Sequence, residues 1–145
     1  MLINPPKKEV LDFIEELERE AFSDSPYSRE AIEKFWGEGS GVIVAVDEEV
    51  YSGYLLYKVV LDEMNLERIA VVAEKRRKGI ALTMISKLVE IARQGKCRRI
   101  ILQVRRSNIP AISLYRKAGF RSSRIRRGYF GREDGVEMVM NIGEF

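Results

Sequence analysis

Apolar residues near the start of the chain return every three or four positions. Val10, Phe13, Ile14, Leu17 and Ala21 fall on one stripe of "KKEVLDFIEELEREAF", with charged residues between them. That period predicts an amphipathic helix after Pro5 and Pro6, broken by "FSDSPYS". A shorter periodic segment carries Ala31, Ile32, Phe35 and Trp36. Ser28 stands where a hydroxyl can accept from the first free amides, and "GEGSG" ends the segment. The period then falls to two. "VIVAV", "VYSGYLLYKVVL" and "MNLERIAVV" are separated only by residues 47–49 and 62–63, which predicts an antiparallel meander of three strands.

Helical spacing resumes with Ile80, Met84, Ile85, Leu88, Ile91 and Ala92 and stops near Gly95. "RIILQV" has the continuous apolar character of a buried strand. Asn108 is placed to cap a fourth helix that tolerates Pro110 in its first turn, where a missing N–H is harmless, and Gly119 ends it. Two last strands, around residues 120–127 and 136–140, flank the loop "GYFGRED". The predicted order is α-α-β-β-β-α-β-α-β-β, an α/β fold in which a mixed, mostly antiparallel twisted sheet is flanked by about four helices.

With 145 residues and 46% hydrophobic content, the chain fits one domain spanning 1–145. No apolar run approaches the ~20 residues needed to cross a bilayer. "MLINPPKKEV" also lacks the apolar core of a secretory signal, so a soluble, cytoplasmic protein is expected. The single Cys97 excludes an internal disulfide, and its position at a strand start, with no base beside it in sequence, suits a small packed residue better than an acyl carrier. Histidine is absent, which removes Ser-His and Cys-His nucleophiles and the common zinc ligand sets; no metal is expected. The net charge of +3 conceals a polarity. Residues 1–72 hold 7 Lys and Arg against 16 Asp and Glu, a net of −9, and residues 73–145 hold 18 against 6, a net of +12. Two solvated faces would account for this, as would a basic half that grips an anion and an acidic half that receives a cation.

The sharpest local feature is "EKRRKGIALTMI", where four basic residues precede Gly79 and a helix then opens. Free amides at a helix start and the positive end of its dipole form an anion site, and Gly79 would let the backbone approach closely. The glycine spacing fits neither a Walker A loop nor a dinucleotide fingerprint. A basic helix start can equally be a solvated cap. Asn108 and Tyr115 are seven residues apart, about two helical turns, and so share a face. Tyr115 can be core, or it can be an acid whose pKa near ~10 lies close to that of an alkyl thiol.

These stretches together resemble the GNAT superfamily of acetyl-CoA-dependent N-acetyltransferases. The run Arg76, Arg77, Lys78, Gly79, Ile80, Ala81 matches its Gln/Arg-x-x-Gly-x-Gly/Ala phosphate loop. Within the superfamily, "AFSDSPYS", "VRRSNIPAISLYRKAGF" and "RRGYFGREDG" are similar to the RimI-type protein N-terminal acetyltransferases. The resemblance implies the GNAT fold and direct acetyl transfer from acetyl-CoA to the N-terminal α-amine of a protein or peptide, a ribosomal protein being one candidate. It implies that Arg76 to Ala81 bind the coenzyme pyrophosphate through backbone amides. Ile69, Ala70, Val71 and Val72 would pair with the pantetheine arm, Asn108 would contact the pantetheine or diphosphate, and Tyr115 would protonate the departing thiolate.

One departure from the pattern falls at Gln103, where RimI-type enzymes often carry an acidic or imidazole base, because glutamine cannot accept a proton at any useful pH. Glu67, in the strand before the phosphate loop, is the replacement base by analogy with other GNAT branches; it can also be an exposed strand residue. Tyr27 and Tyr129, with Gln103, would line the acceptor side. Tyr27 stands where the family more often has tryptophan, and Phe130 follows where a second tyrosine is common. The competing readings are a GNAT acting on a small amine or on lysine, an idle coenzyme-binding sensor, and an RNA-binding module built on "RSSRIRRGYFGR". Neither a membrane nor a nucleic-acid partner is expected.

Overall fold

In the computed structural model, which describes residues 2–3 and 7–143, the chain forms β1 (Leu2–Ile3), α1 (Lys7–Ala21), α2 (Arg29–Glu33) and a 3-10 turn at Lys34–Trp36. The strands β2 (Ser40–Asp47), β3 (Val50–Val60) and β4 (Glu63–Val71) follow, then α3 (Ile80–Gln94), β5 (Arg99–Arg105), α4 (Ile109–Ala118), β6 (Arg121–Arg126) and β7 (Gly135–Asn141). The described strands make one sheet in the order β1-β2-β3-β4-β5-β7-β6. The expected mixed α/β architecture is present, with the meander β2-β3-β4 antiparallel throughout. β1 is an addition. It pairs Leu2 with Ala45 and Ile3 with Val44, and two residues are too few to show a period in sequence.

Side-chain alternation sends successive residues to opposite faces of the sheet, and two apolar layers result. On one face Val10, Leu11, Ile14 and Leu17 of α1 and Ile32 of α2 pack on Val44, Tyr54 and Leu56. On the other, Met84, Ile85 and Leu88 of α3 and Ile112 and Tyr115 of α4 cover Leu55, Met64, Leu66, Ile100, Leu102, Val104 and Met138. Each fully buried Leu or Ile contributes roughly 1.5–3 kcal/mol. The α1 stripe is therefore enough to fix that helix to the sheet, and a charge at Ile14, which has no exposed surface, would detach it.

The functional geometry comes from two irregularities. β4 and β5 are parallel neighbours, joined through α3, but pair only at Glu63↔Arg99, Met64↔Ile100 and Asn65↔Ile101. Past Asn65 the strands part. The register of β3 with β4 shifts at the same level: Tyr57 faces Leu66, Leu56 faces Arg68, and Glu67 between them has no partner. Such a bulge bends and twists its strand. It turns the second half of β4 away from β5 and leaves that edge open.

Candidate active site

The parted strands enclose a cleft of about 940 Å³. Ile69, Ala70 and Val71 of the open β4 edge line it, as do Gly79, Ile80 and Ala81 at the start of α3. Gln103 of β5 and Asn108 and Tyr115 around α4 are also lining residues. Phe22, Ser23, Asp24 and Ser25 of the α1–α2 loop line it as well, together with Glu67 and Phe130.

The loop behind α3 is shaped by backbone conformation. Arg77 and Gly79 both take positive φ, 65° and 78°. Gly79 is the N-cap of α3 and gives it no side-chain cap, the first helical bond being Thr83 N–H to Gly79 O at 3.0 Å. A Cβ at Gly79 would meet nothing within 4 Å, so glycine is favoured there by φ rather than by crowding. The amides of Ile80, Ala81 and Leu82 are left as first-turn donors beside the cleft. The two lysines of "EKRRK" are engaged by the β2–β3 turn. Lys75 and Lys78 engage Asp47 at 3.1 and 3.3 Å, and the hydrogen bonds from Lys75 and then Lys78 hold the Asp47 carboxyl below its ordinary range. Arg76 donates Nε to Val71 O at 3.2 Å and closes the loop. Lys75, Arg76 and Arg77 line the cleft; Lys78 and Val72 do not.

On the facing wall, Asn108 caps α4 by accepting from Ala111 N–H through Oδ1 at 3.2 Å. That leaves its amide NH₂ for the cleft. Tyr115 is 8% exposed, packs edge-on against Phe120, and has its hydroxyl pushed up to about 12 by burial. This is above the ~10 that a match to a free alkyl thiol assumed. The same dry surroundings raise the pKa of a thiol held beside the hydroxyl, so the two acids move in one direction.

Glu67, freed from pairing by the bulge, lines the cleft. Burial raises its carboxyl above the ordinary range against the opposing pull of Lys58 and Arg68. Gln103 projects to the face opposite Leu102 and Val104. It donates Nε2 to Glu137 Oε1 at 3.2 Å, and its Oε1 is buried without a partner. Tyr27 and Tyr129 do not line the cleft. Tyr27 lies under the Arg68 guanidinium at 4.1 Å and stacks on Phe35, Tyr129 packs against Phe130 and Arg126, and Phe130 occupies the wall.

Two features escaped sequence reasoning. Glu18 is fully buried; its carboxylate accepts from Tyr27 N–H at 2.8 Å, from the Tyr54 hydroxyl and from Arg68 Nε and Nη2 at 3.2 and 3.0 Å. Arg68 Nη2 also donates to Ser25 O at 2.7 Å, which ties the cleft-lining loop to β4. The signal was present: Glu18 follows Ile14 by four residues and so sits on the apolar stripe of α1. The second feature is Glu137, opposite Gln103 across β5 and β7. A carboxylate between the inward Val136 and Met138 marks the other face, but nothing local names its partner.

The model of the acetyltransferase (GNAT) family matches residues 9–120. An uncharacterised N-acetyltransferase of Methanocaldococcus jannaschii is 30% identical over 98% of this chain and 90% of its own. The ribosomal protein bS18-alanine N-acetyltransferase of Escherichia coli is 35% identical over 95 residues, 63% of this chain and 64% of that protein, just under two thirds of its length. The crystal structure of the Escherichia coli ribosomal-protein-S18-alanine N-acetyltransferase superposes with a TM-score of 0.88 at 27% identity, covering 100% of this chain and 95% of that one.

Proposed function

Because the chain belongs to the acetyltransferase (GNAT) family, we propose that it transfers the acetyl group of acetyl-CoA directly to the N-terminal α-amine of a protein or peptide. The observation that carries this is the opening between β4 and β5: a single cleft leads from the free amides of α3 to a carboxylate-bearing end at Glu67 and Asp24. The ribosomal-protein activity in the relatives' names makes a ribosomal protein terminus the first acceptor to try, in the cytoplasm.

The donor fits on two counts. Amides of Gly79, Ile80 and Ala81, with Arg76 and Arg77 beside them, suit a pyrophosphate, and the open edge of Ile69, Ala70 and Val71 offers strand-like N–H and C=O groups to a pantetheine amide. Acetyl-CoA supplies an activated thioester carbonyl. Tyr115 donates its proton toward the sulfur as the C–S bond breaks and negative charge collects there. Glu67 takes the proton that the amine loses as its N–C bond forms, directly or across one water. Gln103 and Phe130, which line the cleft, hold the incoming terminus, with Tyr27 and Tyr129 packed behind them on Arg68 and Phe130. Cys97 stays out of the pathway, because it is buried away from the cleft with its thiol pushed up by that burial.

Incubation with labelled acetyl-CoA and a peptide set tests this reading. Peptides with free N-termini are expected to be acetylated, and N-terminally blocked, lysine-rich peptides to stay unlabelled. Efficient labelling of the blocked set would assign a lysine acetyltransferase instead, and no labelling at all would leave a coenzyme binder.

A further inference from the structure

Gln103 carries the one buried side-chain polar atom without a hydrogen-bond partner among the described residues, its Oε1. The neighbouring carboxylate dictates which end of the amide faces which way. Glu137 is held below the ordinary carboxylate range: burial pushes it up, and the hydrogen bonds from Ser123, Gln103 and Arg124 outweigh that. An ionised carboxylate only accepts, so Gln103 must turn its NH₂ toward Glu137. Glu137 lies on β7, on one side of β5. The other side of β5 is where β4 has parted from it. Gln103 lines the cleft on that side, and with Nε2 committed to Glu137 its Oε1 is the end of the amide left for a donor. Glu137 is itself fixed from behind by Ser123 Oγ at 2.7 Å and by Arg124 Nε and Nη2 at 3.2 and 3.4 Å, both from the edge strand β6.

We propose that Gln103 Oε1 is the acceptor for an N–H of the substrate's terminal amine, and that Glu137 is a positioning residue that aims it, with Ser123 and Arg124 holding Glu137 in place. The proposal rests on the N-terminal acetyltransferase reading. A buried acceptor left unmatched in the free protein is costly, and a donor arriving in the cleft removes that cost. An amide oxygen backed by a carboxylate is more negative than an ordinary amide, so it suits an amine that arrives charged and stays polarised as it attacks. It takes no proton. Glu137 thus explains how a glutamine can stand at this position: it puts a full negative charge one hydrogen bond behind the cleft, where a second carboxylate at Gln103 would repel it.

A double-mutant cycle on the full chain tests this, with kcat/KM for a free-N-terminus peptide as the readout and the KM for acetyl-CoA as the internal control. Gln103→Leu removes the acceptor and Glu137→Leu removes what aims it; each is expected to lower kcat/KM about tenfold or more, leaving the KM for acetyl-CoA unchanged. Glu137→Gln, whose carboxamide oxygen can still accept from Gln103, is expected to retain more activity than Glu137→Leu, and it serves in the cycle if the leucine variant misfolds. In the Gln103→Leu background neither change at Glu137 should cost anything further. Losses that multiply would make Glu137 a support for the β6 edge alone and overturn the proposal, as would parental kcat/KM in either Leu variant. A parent enzyme that acetylates no free N-terminus fails the function itself and this proposal with it; an active parent with an additive cycle fails this proposal alone.

Discussion

Arg68 stands between the rings of Phe22 and Tyr27, 4.0 and 4.1 Å from their centroids, with its Nη2 3.0 Å from Glu18 Oε1 in a carboxylate that has no exposed surface. The pair fastens α1 to β4 and, through Ser25 O, holds the α1–α2 loop that lines the cleft. Breaking one side of a buried pair strands the other charge, whereas removing both does not.

Arg68→Met is therefore expected to destabilise the protein by about 3 kcal/mol and to raise KM for the peptide while acetyl-CoA binding is kept. Arg68→Met with Glu18→Leu should recover part of the lost stability without recovering the peptide KM. Denaturant unfolding and steady-state kinetics on the two variants check this. A double variant less stable than the single one would show that the pair is not the source of the loss.

At the phosphate loop, Gly79→Ala and Gly79→Asp separate strain from charge. Both force a Cβ onto φ 78°, at roughly 1 kcal/mol, and neither Cβ meets a neighbouring atom. Only aspartate places a negative charge at the amides of α3. Acetyl-CoA should still raise the melting temperature of Gly79→Ala, and should no longer raise that of Gly79→Asp. Equal ligand-dependent shifts in both variants would remove the loop from the binding site.

The elements around this site were legible where a period or a cap is local. The α1 stripe, the meander, Gly79 before α3, Asn108 at the start of α4 and Gly119 at its end all follow from residues within one or two turns. The opening itself was not, because it depends on where a parallel pair stops and where a bulge falls, and both are set by contacts between strands distant in sequence. The same limit hid the partners of Glu18 and Gln103, which lie up to 50 and 34 residues away. The basic run showed a helix start with free amides, but not that Lys75 and Lys78 are committed to Asp47 and Glu48 of the β2–β3 turn, which lie far from them in sequence.

Tyr115→Phe keeps the ring that packs on Phe120 and removes the hydroxyl. A loss of about 10²-fold in kcat, with little change in the KM for acetyl-CoA, is expected from rapid-quench or steady-state assays. The hydroxyl also links pH to stability. Its folded-state pKa of about 12 lies above the ordinary 10.0, so its preference for the neutral form contributes fully below about pH 10 and is lost as pH rises toward 12. The parent should lose stability across that window more steeply than Tyr115→Phe. Activity in the parent should show no alkaline limb from this residue below about pH 11.

The pH dependence of Glu67→Gln decides what that carboxylate does. A nucleophilic amine must be neutral, and at pH 7 an α-amine with a pKa of ~7.7–8.0 is roughly 10–20% neutral, whereas lysine at ~10.4 is below about 0.1%. A site with Gln103 in place of a strong base can therefore serve α-amines with modest help and would serve lysine poorly. Glu67 gives that help only when ionised. Its pKa is raised by burial, so its contribution is absent at acid pH and grows as the pH climbs through that raised value. Above the α-amine pKa the amine arrives already neutral and the contribution fades again. In the parent, kcat/KM for a free-N-terminus peptide should rise to a plateau near the free α-amine pKa. Glu67→Gln should fall well below the parent at neutral pH and approach it as the pH increases, with the KM for acetyl-CoA unaltered. A variant that matches the parent at every pH clears Glu67 of any part in proton removal, and one reduced by the same factor at every pH makes it a substrate-positioning residue instead.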